Sequence, residues 1–212
     1  MALHIVLGPM FAGKSTHLIN TIQSLLDNII SEENKEIFLK EKILIINHSI
    51  DNRYSNESEI CTHDHIKMPC LSLNKLEDIF NDINIGDNIN NIDNIDNIDN
   101  IDNINIDINK IKFIFIDEGQ FFSDLYETVK NLLIIYKKKI YISCLDGDYK
   151  QEPFHESRLF DLIPYATSVK KLTARCSDCN NSAPFTKRLI ISNEQILVGG
   201  SDSYKPVCLN HL

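Results

Sequence analysis

Eight residues near the start of the chain, Gly8, Pro9, Met10, Phe11, Ala12, Gly13, Lys14 and Ser15, satisfy the pattern G-x-x-x-x-G-K-[ST]. Main-chain N–H groups of such a loop surround phosphate oxygens, Lys14 sets a cation against the β and γ phosphates, and the Ser15 hydroxyl can ligate Mg²⁺. The chemistry implied is binding of a nucleoside triphosphate. A second group, Asp117, Glu118, Gly119 and Gln120, follows four apolar residues at 113–116. At the carboxyl end of a strand, Asp117 can hold Mg²⁺ directly or through water, while Glu118 faces the reacting atoms. A carboxylate within hydrogen-bond reach of an attacking hydroxyl can orient it and remove its proton. The competing reading of the two carboxylates is a cap on the following helix.

A third group is metal-like. Cys176-Ser-Asp-Cys179 and Cys208-Leu-Asn-His211 offer three thiolates and one imidazole, with two residues between the partners of each pair. That set matches a closed tetrahedral Zn²⁺ site, structural because no coordination position is left for a reacting water. The 28 residues between the two pairs exceed the usual separation and read as a long loop tied down by metal at both ends. Cys61, Cys70 and Cys144 have no such spacing and read as small buried hydrophobes. Asp51, Asn52 and Arg53 follow an apolar run at 42–47. Arg53 suits either neutralisation of a transferred phosphoryl group or a surface ion pair, and spacing alone leaves both open.

These groups need elements to position them. Residues 3–7, 42–47, 110–117 and 139–145 are apolar, β-branched or aromatic runs of strand length, and helical spacing occupies 16–30 and 124–136. Strands that are apolar nearly throughout, separated by helices, indicate a parallel sheet covered on both faces. The expected fold is α/β: a parallel sheet flanked by helices, like that of P-loop NTPases, over residues 1–171. Residues 172–212 then form a small zinc-ribbon-like β subdomain, with short β-like runs at 188–192 and 195–200.

Composition narrows the function classes. The 212 residues carry a formal charge of -9, and six aspartates of segment 84–109 supply most of it, leaving -3 on the rest. A broad nucleic-acid footprint is not expected on such a chain. No run of 18 apolar residues occurs and the first residues lack signal-peptide character, so a soluble, cytoplasmic protein without membrane contact is expected. Segment 84–109 is an Ile-Asp-Asn repeat whose period of three fits neither helix nor strand. It reads as a disordered surface insertion without catalytic role.

The stretches GPMFAGKST, DNRYSNES with CTHD, FIDEGQFF, LDGDYKQEPF, KLTARCSDC, TKRL, VGGSDSY and the final Cys-x₂-His occur in this order. Together they resemble the type II thymidine kinases, the zinc-containing, tetrameric family, over nearly the whole chain outside 84–109. The resemblance implies transfer of the γ-phosphate of ATP, with Mg²⁺, to the 5′-hydroxyl of thymidine or deoxyuridine, and a homotetramer. It implies that residues 8–15, 51–53 and 117–120 border the phosphates and that Glu118 is the base. Phe121, Tyr149 and Phe154 would line the nucleoside pocket, and Gln195, Ile196, Leu197, Val198, Gly199 and Tyr204 would form a lasso that reads the pyrimidine, largely through main chain. Two departures stand out: Tyr149 occupies a common Phe position, adding a hydroxyl that needs a partner if buried, and the fourth metal ligand is His211 rather than Cys. Other readings are a deoxynucleoside kinase of broader preference and a catalytically silent nucleotide-binding protein.

Overall fold

Strand β1 (Ala2–Gly8) leads through the glycine-rich loop into helix α1 (Lys14–Leu26), and a second helix, α2 (Glu32–Lys42), returns the chain to β2 (Ile43–His48). The computed structural model describes residues 1–29, 31–51, 59–61, 67–80 and 106–212. A hairpin of β3 (Glu59–Cys61) and β4 (Lys67–Pro69) precedes β5 (Leu71–Leu73), and a 3-10 turn (Leu76–Phe80) follows. Then come β6 (Phe113–Ile116), α3 (Leu125–Ile134), β7 (Lys139–Leu145), a 3-10 helix (Leu159–Tyr165) and β8 (Ser168–Lys171). Six strands form one sheet in the order β5-β2-β6-β7-β1-β8, every pairing parallel.

Alternation along the strands builds two cores from one sheet, because successive side chains leave opposite faces. Leu44, Ile46, Ile114, Ile116, Ile140 and Ile142 join Leu125, Val129 and Leu132 of α3 on one side. Ile43, Ile45 and Phe115 meet Leu18, Ile19 and Ile22 of α1 on the other, with Phe38 and Leu39 of α2 packed against them. The result is the expected α/β layering. Helix α2 and the edge strands β5 and β8 are not evident in the apolar pattern. EENKEIFLKEK has too few apolar positions to show a stripe, and its start is set instead by Ser31, whose hydroxyl accepts from Asn34 N at 3.2 Å. Helix α1 starts at Lys14 and ends at Leu26, shorter at its far end than the periodicity through 30 suggests.

Of the Ile-Asp-Asn segment, residues 81–105 lie outside the described residues, but its end belongs to the fold. Ile108 is 8% exposed in the α3-side core and Ile106 packs against it, so the repeat is continuous with packed structure before β6 begins. The C-terminal segment holds β9 (Ala174–Arg175) paired with β10 (Ser182–Ala183), and β11 (Phe185–Arg188) paired with β12 (Tyr204–Val207), both antiparallel. The β-like runs at 188–192 and 195–200 do not form strands beyond Arg188. Among the described residues they have no partner strand, and side chains take their carbonyls instead.

Candidate functional site

The site lies along the carboxyl edge of the parallel strands, where β2, β6, β7 and β1 end side by side. Gly8 closes β1 under a close chain passage: a Cβ there would stand 2.7 Å from the Leu172 carbonyl oxygen. Gly13 adopts φ 78, in the left-handed region, and so turns the loop into α1. No side chain caps this helix, and its first intrahelical bond runs from His17 N to Gly13 O, leaving the Ser15 and Thr16 amides without an intrahelical acceptor. An uncapped helix start of this kind favours an anion. The Lys14 ammonium is held over the loop by the Pro9 carbonyl at 2.9 Å.

Asp117 follows β6 and is 2% exposed, its backbone N–H tied to Ile46 O at 2.9 Å. Burial and the adjacent Glu118 charge push its carboxyl up to about 6, while the Ser143 and Ser15 hydroxyls and the Lys14 ammonium pull the other way. Its Oδ1 atom is buried without a hydrogen-bond partner. A buried carboxylate oxygen in that state, beside a serine hydroxyl, is well suited to a cation. Glu118 is 7% exposed and adopts φ 50, ψ 38. Gln120 holds it: its Nε2 donates to Glu118 Oε2 at 2.5 Å, and its Oε1 accepts from Leu145 N at 2.8 Å. One side chain therefore links the ends of β6 and β7 through the carboxylate.

Glu118 lines a solvent-open cleft on this edge. Phe121, Tyr149, Phe154, Gln195, Ile196, Leu197, Val198, Gly199 and Tyr204 all line it. Phe121 and Phe154 meet edge to face at 5.9 Å. Asp51, grouped in sequence with the phosphate-side residues, lines the same cleft, whereas Asn52 and Arg53 lie outside the described residues. Met10 also faces the cleft, and its N–H donates to the Thr186 hydroxyl at 2.9 Å. Sequence reasoning missed Thr186, Arg188 and Asp148 as lining residues. Thr186 and Arg188 are two apart on β11 and so share a face, a signal that needs only that stretch recognised as a strand.

The wall formed by residues 195–199 belongs to the connection between β11 and β12. The 28 residues between the two metal-ligand pairs are thus mostly hairpin, and the loop proper, 189–203, is closed by strand pairing rather than by the ligands themselves. The Gln195 side chain reaches across the cleft, donating from Nε2 to Asp148 Oδ2 at 3.1 Å. Asp148 Oδ1 meanwhile accepts from the Lys150 and Glu152 amides, which fixes the opposing turn.

Cys176, Cys179, Cys208 and His211 have their ligand atoms within 4.8 Å of one another and could hold a metal ion. Cys176 and Cys179 flank the β9–β10 turn, and Cys208 and His211 follow β12. His211 presents Nδ1 to Cys208 Sγ at 3.2 Å and to Cys176 Sγ at 3.6 Å. Burial favours the neutral Cys176 thiol, but hydrogen bonds from the Cys208, Asp178 and Cys179 backbone outweigh it and bring the group to about 6, while the Cys208 and Cys176 side chains beside Cys179 push that thiol up. Lys187 donates to the His211 carbonyl at 3.0 Å, and Lys205 pairs with Asp178 at 2.8 Å. The small core here, Ala174, Cys176, Ala183, Val207 and Cys208, packs against Phe11 and Ala12 of the loop at 8–15. Among the described residues, no helix is long and apolar enough to cross a membrane.

Comparison with known proteins places the chain among relatives. The family model described as thymidine kinase matches residues 1–93 and 80–212. The chain is 36% identical over 210 residues to thymidine kinase a of Arabidopsis thaliana, covering 99% of this chain and 74% of that one. It is 32% identical to the cytosolic thymidine kinase of Homo sapiens over 97% of this chain and 70% of that protein. Against the thymidine kinase of Rabbit fibroma virus identity is also 32%, over 97% and 93% of the two chains.

Proposed function

The chain belongs to the thymidine kinase family, and on that premise we propose that it transfers the γ-phosphate of ATP to the 5′-hydroxyl of thymidine, and of deoxyuridine, giving the nucleoside monophosphate and ADP. The observation that carries this reading is the position of Glu118, buried at the wall of an aromatic-lined cleft and one residue from Asp117 beside the phosphate loop. The two substrates then meet at adjacent carboxylates.

In this reading residues 8–15 wrap the triphosphate with main-chain donors and Lys14 places charge against the β and γ oxygens. Asp51 and residues 117–120 border the same space. The nucleoside lies between Phe121, Phe154 and Tyr149 on one side and the main chain of 195–199, with Tyr204, on the other. Glu118 accepts a hydrogen bond from the 5′-hydroxyl, orients the oxygen toward the γ-phosphorus and takes its proton as the new P–O bond forms and ADP departs. Gln120 keeps that carboxylate in place. Ser15 and Asp117 would hold Mg²⁺, whose charge offsets that of the triphosphate oxygens. The unpartnered Asp117 Oδ1 fits this role.

The Cys₃His cluster would hold Zn²⁺ as a closed structural ion, joining the β9–β10 turn to the base of the β11–β12 hairpin. Residues 172–212 then act as one lid-bearing unit docked on the phosphate loop. A homotetramer working in the cytoplasm is the assembly and setting that accord with the family reading. The direct test is thymidine-dependent ADP release from Mg·ATP. Release that is independent of added nucleoside would leave an ATPase, and no release with ATP bound would leave a binding protein.

A further inference from the structure

Arg188 ends β11 and stands opposite Tyr204, the first residue of β12, so the pair forms the neck of loop 189–203. Its guanidinium carbon lies 3.7 Å from the centroid of the Tyr149 ring and 5.3 Å from that of Tyr204. Nε and Nη2 donate to the Tyr204 hydroxyl at 3.2 and 2.9 Å. Nη1 donates to the carbonyls of Ser192 and Glu194 at 3.3 and 2.5 Å, and Nη2 to that of Gln195 at 3.0 Å. A guanidinium has five N–H groups, and these contacts use all of them. The Tyr204 hydroxyl extends the chain by donating to Leu197 O at 2.7 Å, and the Tyr149 hydroxyl donates to Ser192 O at 3.1 Å. A loop without strand partners thus has four carbonyls bound by three side chains at its neck.

The consequence for the cleft follows from peptide geometry. In a trans peptide the C=O and N–H point in opposite directions. With the carbonyls of Gln195 and Leu197 drawn to Arg188 and Tyr204, the N–H groups of Ile196 and Val198 face away from that neck, and both residues line the cleft. We propose that Arg188 is a positioning residue for nucleoside recognition: stacked on Tyr149 and saturated by loop carbonyls, it sets which way the peptides of residues 192–198 face. This rests on the reading of the cleft as the nucleoside site. With every donor committed, Arg188 acts through the loop and not on the nucleoside or the phosphates. Tyr149 supplies the stacking surface and, through its hydroxyl, a second tie to the same peptide.

The test compares full-length wild type with Arg188→Lys and Tyr149→Phe. Lysine keeps the charge but loses the planar fork and the stack. Arg188→Lys is expected to raise the KM for thymidine about tenfold or more, a loss of the size expected when charged hydrogen bonds are removed. The KM for ATP, kcat and metal content should stay within about threefold. In the absence of nucleoside, cleavage by a glutamate-specific protease after Glu194, followed by mass spectrometry, should speed up. Tyr149→Phe removes one neutral hydrogen bond and should show the same pattern at about two- to fivefold. Unchanged thymidine KM and unchanged cleavage in Arg188→Lys would overturn the proposal, as would parallel losses in ATP KM and metal content, which mark general loosening. A wild type that phosphorylates no pyrimidine nucleoside overturns the recognition half together with the functional reading, while cleavage after Glu194 still decides whether Arg188 holds the loop.

Discussion

At Glu118 backbone and side chain are both constrained. Its left-handed backbone, φ 50, costs a non-glycine residue about 1–2 kcal/mol, and it turns the carboxylate from the end of β6 toward the cleft. Replacing it by Gln preserves shape but removes the proposed base. Glu118→Gln should retain ATP affinity within a few-fold while kcat falls by about 10² to 10⁴, read from steady-state rates and nucleotide titration. Turnover at the wild-type rate would remove Glu118 from the chemistry. Much of the site was legible at this scale. The loop at 8–15 is marked in sequence by its glycines, Lys14 and Ser15, and the Cys/His group that could hold a metal is marked by type and spacing. The hydrogen-bonding roles of Arg188 and Asp148 were not legible, because their acceptors and donors are brought near them only by the return of loop 189–203 and the turn at 148–152.

Elements carry the site only if their ends are fixed. Lys138, 5% exposed just before β7, donates to Ile111 O at 2.6 Å and to Asn109 O at 3.4 Å, pinning the chain that enters β6. Lys138→Met keeps the apolar stem but leaves those carbonyls without their donor. It should destabilise the protein by about 1–3 kcal/mol, seen as a lower urea midpoint with an unchanged slope. A metal held by Cys176, Cys179, Cys208 and His211 would play the same part for β12. The purified protein should contain about one zinc per chain, and chelation should raise the thymidine KM and protease sensitivity at 189–203 more than the ATP KM. Protein free of zinc with full activity would contradict the assignment. The central strands and α1 were legible because apolar runs and a helical stripe encode them. Helix α2, the edge strands and the hairpin of the C-terminal segment were not, since they rest on a cap or a neighbouring strand rather than on local pattern.

Over the whole molecule, one sheet edge gathers the loop at 8–15, two carboxylates and the cleft, and the C-terminal segment packs on Phe11 and Ala12 of that loop. Of the Ile-Asp-Asn repeat, the described residues Ile106 and Ile108 pack at the α3-side core. Replacing residues 84–105 by about eight Gly/Ser residues should therefore leave kcat and KM within about twofold and stability within about 2 kcal/mol, since loop length enters only logarithmically. Insoluble or inactive protein would give the repeat a structural role. The central claim is that the cleft beside Glu118 takes a pyrimidine deoxynucleoside for phosphorylation. It is tested most directly by Mg·ATP phosphotransfer to thymidine, deoxyuridine, deoxycytidine and deoxyguanosine, run side by side on wild type and Glu118→Gln. Transfer to thymidine and deoxyuridine that collapses in Glu118→Gln is the predicted result, and equal transfer to all four nucleosides, or none to any, would contradict it.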